Sequence, residues 1–431
     1  MTHAGDAPID AAPGDHGAVG ELLVAHGASG EPLVAHGASG EPLVVYGDAM
    51  LDYDFGPGHP LTPRRFPPGI DLMRAAGATR FVEPPMATDA QLGRLHEAAY
   101  VRQVRSFSDH PEQPYHMGIG PGDCPAFHGM HEASATIAGG SIAATERILN
   151  GVATHAFNPG GGLHHAMSGH ASGFCIYNDV ALAVAAARDA GHRVMYVDLD
   201  VHHGDGTQAL FWSDPRVLTF SIHETGEALF PGSGYVDEVG GPGAEGTAVN
   251  VPLEPNSGDG SWWPIVERMV PALANAFRPT FLVTQHGCDS HAYDPLAHLR
   301  VTTAAYARAT RLLDEIAHRH CGGRWLATGG GGYDAYRVVP RSWTLVWLAQ
   351  AHRVVPAETP RHWRERWAAE SARQRQSPPP IEFVDPPGTA PAEPAGFRAR
   401  NLATAELSLA QAVRLLADRR QRRTSPKEAG R

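Results

Sequence analysis

Four short apolar runs constrain this chain more than any other feature: residues 193–197 (Arg-Val-Met-Tyr-Val), 217–223 (Val-Leu-Thr-Phe-Ser-Ile-His), 281–284 (Phe-Leu-Val-Thr) and 325–327 (Trp-Leu-Ala). They are rich in β-branched and aromatic residues, and stretches of helical composition such as 265–277 and 303–318 lie between them. Near-continuous apolar strands alternating with helices specify an α/β fold with a mostly parallel central sheet and helices on both faces. In such sheets ligands bind beyond the carboxyl ends of the strands. Here those ends run into Asp198-Leu199-Asp200-Val201-His202-His203-Gly204-Asp205-Gly206, into Gln285-His286-Gly287-Cys288-Asp289, and into Gly329-Gly330-Gly331-Gly332-Tyr333.

Asp198, Asp200 and His202 are spaced two apart, so they share one face while the chain stays extended. Carboxylates on a buried strand are costly unless they are paired or bind a metal, and a metal site is the economical reading. The same residues, with Gly204 and Gly206, could instead form a turn that caps the following helix. Residues 158–166 (Asn-Pro-Gly-Gly-Gly-Leu-His-His-Ala) form a second loop dense in reactive groups, whose glycines allow the bend that two adjacent histidines need to face different partners. Residues 131–150 read as a long helix of small residues, and residues 43–46 as the first strand.

Three near-identical decapeptides begin at Gly20, Gly30 and Gly40, and only the third continues into credible structure. A period this short offers too little apolar surface for a solenoid unit, so residues 1–42 read as a low-complexity extension in which His26 and His36 are not ligands. Residues 43–355 then read as one structured domain. Residues 356–431 combine a Pro-rich linker with an apolar stripe of Leu409, Ala412, Val413 and Leu416 that docks on the core. The net charge of −11, spread over scattered acids, argues against nucleic acid or an anionic membrane and suits a cationic substrate. Cys124, Cys175, Cys288 and Cys321 lack paired CxxC spacing and read as small core residues in a reducing compartment. With no leader pattern at the start and no apolar run of membrane-spanning length, a soluble cytoplasmic protein is expected. Oligomeric state leaves no trace in the sequence.

Seven motifs in order, GPGHP from Gly56, GGGLHHA from Gly160, GFCIYND from Gly173, DLDVHHGDG from Asp198, FPGSGY from Phe230, GCDSHAYDP from Gly287 and GGGGY from Gly329, resemble the metal-dependent histone deacetylase superfamily. Within it the chain is most similar to bacterial acetoin-utilisation deacetylases, over about residues 43–352. The resemblance implies the arginase/deacetylase fold, one catalytic divalent ion, and hydrolysis of an acetyl amide. It places the metal ligands on Asp200, His202 and Asp289, a three-ligand set with an open position that suits Zn(II) or Fe(II). It makes His165 the general base and then acid, with Asp205 as its partner, and His164 a more positive neighbour backed by Asp198. It makes Tyr333 the donor to the oxyanion. The substrate channel falls on Gly173, Phe174, Phe230, Leu296 and Arg65, the last at an acetate exit. A structural K+ or Na+ would use main chain around Asp198, Asp200, His202 and Ile222, with Ser221.

One position departs from the pattern. Eukaryotic relatives carry a rim Asp two residues before a Tyr; the corresponding residue here is Ala98 before Tyr100, with Glu97 beside it. His286, Cys288 and His291 flank a ligand position but are expected in the core. The function expected is deacetylation of acetyl-lysine in proteins, with an acetylpolyamine or other small-molecule amidohydrolase as the alternative. An arginase-like binuclear enzyme is disfavoured because Ser290-His291, not a DxD spacing, follows Asp289. A noncatalytic metal-binding or acetyl-lysine-reading module would be expected to have lost His165 or Tyr333, and both are present.

Overall fold

The strands run from two to eight residues. In the computed structural model, which describes residues 40–424, they are β1 (Leu43–Val45), β2 (Phe81–Val82), β3 (His155–Asn158), β4 (Val194–Asp198), β5 (Val217–Glu224), β6 (Ala248–Leu253), β7 (Phe281–Gln285) and β8 (Trp325–Thr328). All pair in parallel in one sheet of order β2-β1-β3-β8-β7-β4-β5-β6. The first two repeat copies, with His26 and His36, lie outside the described residues.

The side chains of each strand divide between two cores because successive residues face opposite sides. Val44, Phe157, Met195, Val197 and Leu282 belong to the larger core, and Leu43, Val45, Val194, Tyr196, Phe281 and Val283 to the smaller. Among the described residues, eleven α-helices accompany the sheet: α1 (Phe66–Ala75), α2 (Asp89–Leu92), α3 (Ala98–Asp109), α4 (Met130–Leu149), α5 (Asp179–Asp189), α6 (Asp205–Leu210), α7 (Asp259–Phe277), α8 (Thr303–Cys321), α9 (Val339–Gln350), α10 (Arg361–Arg373) and α11 (Phe397–Thr424). Buried side chains of α1, α7, α8 and α9 fill the larger core, while α5 supplies most helical residues of the smaller. Gly139 shows why α4 is built from small residues, since a methyl group there would strike the Pro85 carbonyl.

Residues after the last strand stay against the core. Trp363 of α10 is buried and donates its indole N–H to the Pro68 carbonyl at 2.8 Å. Within the Pro-rich stretch Phe383 is fully buried, and Asp385 binds the Arg341 guanidinium at 2.9 Å and a His291 ring nitrogen at 2.8 Å. Ala405, Leu409, Ala412 and Leu416 are the buried face of α11, which runs beside α7 and β6, whereas Val413 is 38% exposed. None of the described helices is long and apolar enough to cross a membrane.

The chain steps from β3 to β4 across a gap later filled by β7 and β8, so four neighbouring strands, β3-β8-β7-β4, end side by side. Loops from their carboxyl ends meet at one point.

Candidate active site

Each of these four ends contributes a different group. β4 ends at fully buried Asp198, whose carboxylate accepts the Tyr196 hydroxyl at 2.6 Å and lies 2.8 Å from His164 Nδ1. His164 and His165 leave the loop after β3. Their Nε2 atoms are 3.0 Å apart, and His165 Nδ1 is 2.7 Å from Asp205, the first residue of α6. Each imidazole thus has its own carboxylate. The two are unequal: Asp198 is wholly buried, and Asp205 is 14% exposed.

The consequence is electrostatic. Burial alone would depress His164, but the Asp198 and Asp200 carboxylates overcome it and raise the ring to about 9. Burial depresses His165 too, the adjacent His164 charge adds to this, and Asp205 offsets only part, leaving it at about 4. His164 is thereby the more readily charged ring of the pair, with its Nδ1–H on Asp198. His165 is then neutral, with Nδ1–H on Asp205 and a lone pair on Nε2.

Beside the pair, Asp200, His202 and Asp289 converge. His202 Nδ1 lies 3.1 Å from Asp200 Oδ1 and 3.1 Å from Asp289 Oδ2. The outward carboxylate oxygens are occupied: Asp200 Oδ2 accepts from the Gln285 amide at 2.6 Å and the Gly331 N–H at 2.8 Å, and Asp289 Oδ1 from the Val201 N–H at 3.0 Å. Burial opposes a charge on His202, yet the two carboxylates raise it to about 10. The pull they exert on a proton is the pull they would exert on a cation. Two buried carboxylates and an imidazole aimed at a common point, each braced from behind, fit a divalent ion with coordination positions to spare. A Cβ at Gly331 would overlap the Asp289 carboxylate and crowd that of Asp200, which only glycine avoids.

A narrow cleft leads to this point, with water-accessible space of about 20 Å³, walled by Leu61, Gly173, Phe174, His164, His165 and Tyr333 among others. Gly173 has φ of +52°, and a methyl group there would press on the rings of His165 and Phe230. Phe174 holds φ of +67°, a costly conformation for an aromatic residue, and turns its ring to within 6.1 Å of Tyr333. Phe230, 40% exposed, stands 5.0 Å from the His165 ring at the outer edge. Tyr333 is buried, and its backbone N–H is fixed by Asp294 at 2.8 Å. Arg65 is buried behind the glycine run, donating to the Gly330 carbonyl at 2.6 Å.

Several expectations need adjustment. Leu296 is half-buried, with its N–H on the Asp294 carboxyl that also holds the Tyr333 N–H, and Leu61 adds a wall to the cleft that was not singled out from the sequence. Ala98 is not at the mouth. Tyr100, two residues on, is buried with its hydroxyl on the Ile176 carbonyl at 2.7 Å, which fixes the start of α3, while Glu97 faces Ser168. The rim beside Phe174 is formed instead by His59, whose ring is 4.6 Å from that of Phe174 and 3.3 Å from the Asp123 carbonyl. Ser221 sits opposite Asp198 in β5, but its hydroxyl is 2.8 Å from His223 Nδ1. Buried Ile222 follows it in the strand. His286, Cys288 and His291 are all buried, and His286 pairs with Thr284 at 2.7 Å. Gln285, which braces Asp200, was not singled out from the sequence. A lone Gln at a strand end carries no signal of its own.

A histone deacetylase domain model matches residues 59–350. The chain belongs to the histone deacetylase family. It is 39% identical over 343 residues to the acetoin utilization protein AcuC of Bacillus subtilis (strain 168), covering 78% of this chain and 87% of that protein. With AcuC of Staphylococcus xylosus it shares 35% over 330 residues, 74% and 85% of the two chains. The crystal structure of an HDAC homolog complexed with SAHA superimposes with a TM-score of 0.74 at 26% identity, covering 85% of this chain and 99% of that one. This deacetylase is therefore an AcuC-like member of a metal-dependent family of amide hydrolases.

Proposed function

We propose that this deacetylase removes the acetyl group from acetyl-lysine in proteins, with a divalent ion, Zn(II) or Fe(II), held by Asp200, His202 and Asp289. The observation that carries the reading is the pair of touching imidazoles with separate carboxylates beside a braced three-donor set. When bound, the ion would supply Lewis acidity towards the acetyl carbonyl and the attacking water.

The chain's own residues do the rest. His165 Nε2, unprotonated and oriented by Asp205, takes the proton of the attacking water and later passes it to the leaving amine. His164, kept charged by Asp198, favours negative charge developing next to it. Tyr333 donates its phenolic O–H to the oxyanion; burial and the Asp289 and Asp200 charges hold that hydroxyl well above its ordinary range, so it stays a neutral donor. Gly173, Phe174 and Phe230 wall the alkyl stem of the substrate, and Arg65 lies where acetate would leave. A K+ or Na+ near Asp198 and Ser221 would be structural.

Protein substrates are favoured over small ones by the mouth: exposed Asp123, in the loop that touches His59, can accept backbone N–H groups of a bound peptide. The AcuC name borne by the relatives suggests clients among enzymes of acetate or acyl-CoA metabolism. Four buried, unpaired cysteines suit a cytoplasmic setting. The second reading, an acetylpolyamine amidohydrolase, draws on the acidic net charge. Zn(II)- or Fe(II)-loaded protein assayed for acetate release on acetyl-lysine peptides, acetylated acyl-CoA synthetase and acetylpolyamines separates the two. The proposal expects the protein and peptide substrates to lead, whereas a clear preference for polyamines overturns it in favour of the second reading.

A further inference from the structure

A second set of metal-type donors lies at the opposite end of the sheet. His155 opens β3 at its amino end, Asp314 and His318 are one turn apart on α8, and His352 follows α9. His155 Nε2 is 3.2 Å from His318 Nε2 and 3.3 Å from Asp314 Oδ1. His318 Nε2 is 3.4 Å from the same oxygen and 3.2 Å from His352 Nε2, which is itself 3.2 Å from Asp314 Oδ1.

These separations have a geometric meaning. A tetrahedral ion with bonds of about 2.0–2.1 Å to nitrogen and oxygen sets its donors about 3.3–3.4 Å apart, close to the observed edges. Hydrogen bonding alone explains the cluster poorly, because a neutral imidazole has one N–H to give. With three Nε2 atoms against the Asp314 carboxylate, His352 lying 3.2 Å from both of its oxygens, the rings cannot all donate to the carboxylate and also to one another, and three imidazolium ions in contact would repel. A cation removes the conflict, since each neutral ring then turns a lone pair inward. Side-chain exposures of 0, 15, 13 and 31% for His155, Asp314, His318 and His352 make the cluster most open at the His352 corner among the described residues.

We propose that His155, Asp314, His318 and His352 bind a second divalent transition-metal ion, of the zinc, cobalt or nickel type, on the far side of the sheet from the reaction site. The site is richer in imidazole than the Asp200, His202 and Asp289 set, so it selects borderline metals such as zinc over harder ones. Bound there, the ion ties the start of β3 to α8 and to the chain leaving α9. Because β3 leads at its other end into the loop of His164 and His165, the clamp sits under the strand that carries both imidazoles without touching them. Total metal content then counts two sites and does not by itself identify the reaction-site metal.

Metal analysis of untagged full-length protein equilibrated with zinc tests this directly. The proposal expects about two equivalents per chain in the wild type. It expects about one in the double variant His318→Ala/His352→Ala, which keeps only two of these donors, with deacetylation within about twofold of wild type. A wild type that binds one equivalent, or a double variant that still binds two, overturns it. Should the double variant not fold, cobalt(II) titration of His202→Ala decides: an intense tetrahedral d–d spectrum saturating near one equivalent supports the second site, and its absence overturns it.

Discussion

In the proposed mechanism, the division of labour between the two imidazoles comes down to which carboxylate each meets. His165 depends on Asp205 for its orientation and for Nδ1–H, so Asp205→Asn should lower kcat about 10- to 100-fold while leaving KM nearly unchanged. An unaltered kcat would mean that Asp205 does not orient the base. Tyr333→Phe removes one oxyanion donor and should lower kcat by about 10²- to 10³-fold, read from initial rates on an acetyl-lysine peptide. Asp123→Ala should raise KM for a peptide and leave it unchanged for a small acetylated amine. Equal effects on both would remove Asp123 from the rim. Asp198, Asp200 and His202 stand out in the sequence because acids and a histidine crowd the end of an apolar strand, whereas Asp205 reads as a turn residue until the resemblance pairs it with His165. Leu61, His59 and Gln285 were not legible in the same way. An apolar wall residue, a loop histidine and a lone glutamine acquire meaning only from what the fold brings next to them.

At the level of elements, strand composition sufficed for β4, β5, β7 and β8. Strand β3 was hidden because its four residues, His-Ala-Phe-Asn, carry no β-branched signal, and its pairing with β1 and β8 supplies what local preference does not. The segment between α10 and α11 is held through Asp385. Burial alone would raise this carboxyl, but the His291 hydrogen bond and the Arg341 guanidinium hold it well below the usual carboxylate range. A depressed acid stabilises the fold above its unfolded value of about 4 and loses that contribution as pH falls below it. Asp385→Asn should therefore lower the unfolding midpoint at pH 7, and the gap from wild type should shrink as pH falls through about 4. A gap that stays constant over that range would show that the carboxylate charge is not what holds the segment.

On the scale of the whole molecule, the reaction groups occupy the carboxyl ends of four adjacent strands, while residues after β8 cover the outer surface of the larger core. A chain ending at residue 355 would lose buried Trp363 and Phe383 and uncover the surface under Leu409, Ala412 and Leu416. Each large side chain of this kind contributes about 3–5 kcal/mol when truncated to alanine. The shortened chain should show a lower melting temperature than full-length protein, or aggregate; an unchanged melting temperature would mean that residues after 355 add nothing to stability. The parallel sheet, and a site where its strands end, could be anticipated from the spacing of apolar runs. The docking of α11 through Leu409, Ala412 and Leu416 could be anticipated as well, but the packing of residues 356–396 could not, because proline-rich composition looks the same whether a segment is solvated or pressed against a core. The central claim, that acetyl amides are hydrolysed where the His164–His165 pair meets Asp200, His202 and Asp289, is tested most directly by acetate release from an acetyl-lysine peptide by zinc-loaded wild type and His165→Ala. The account predicts release by the wild type and loss of nearly all turnover in a variant that still folds and still binds metal at the reaction site. Undiminished release by that variant would contradict it.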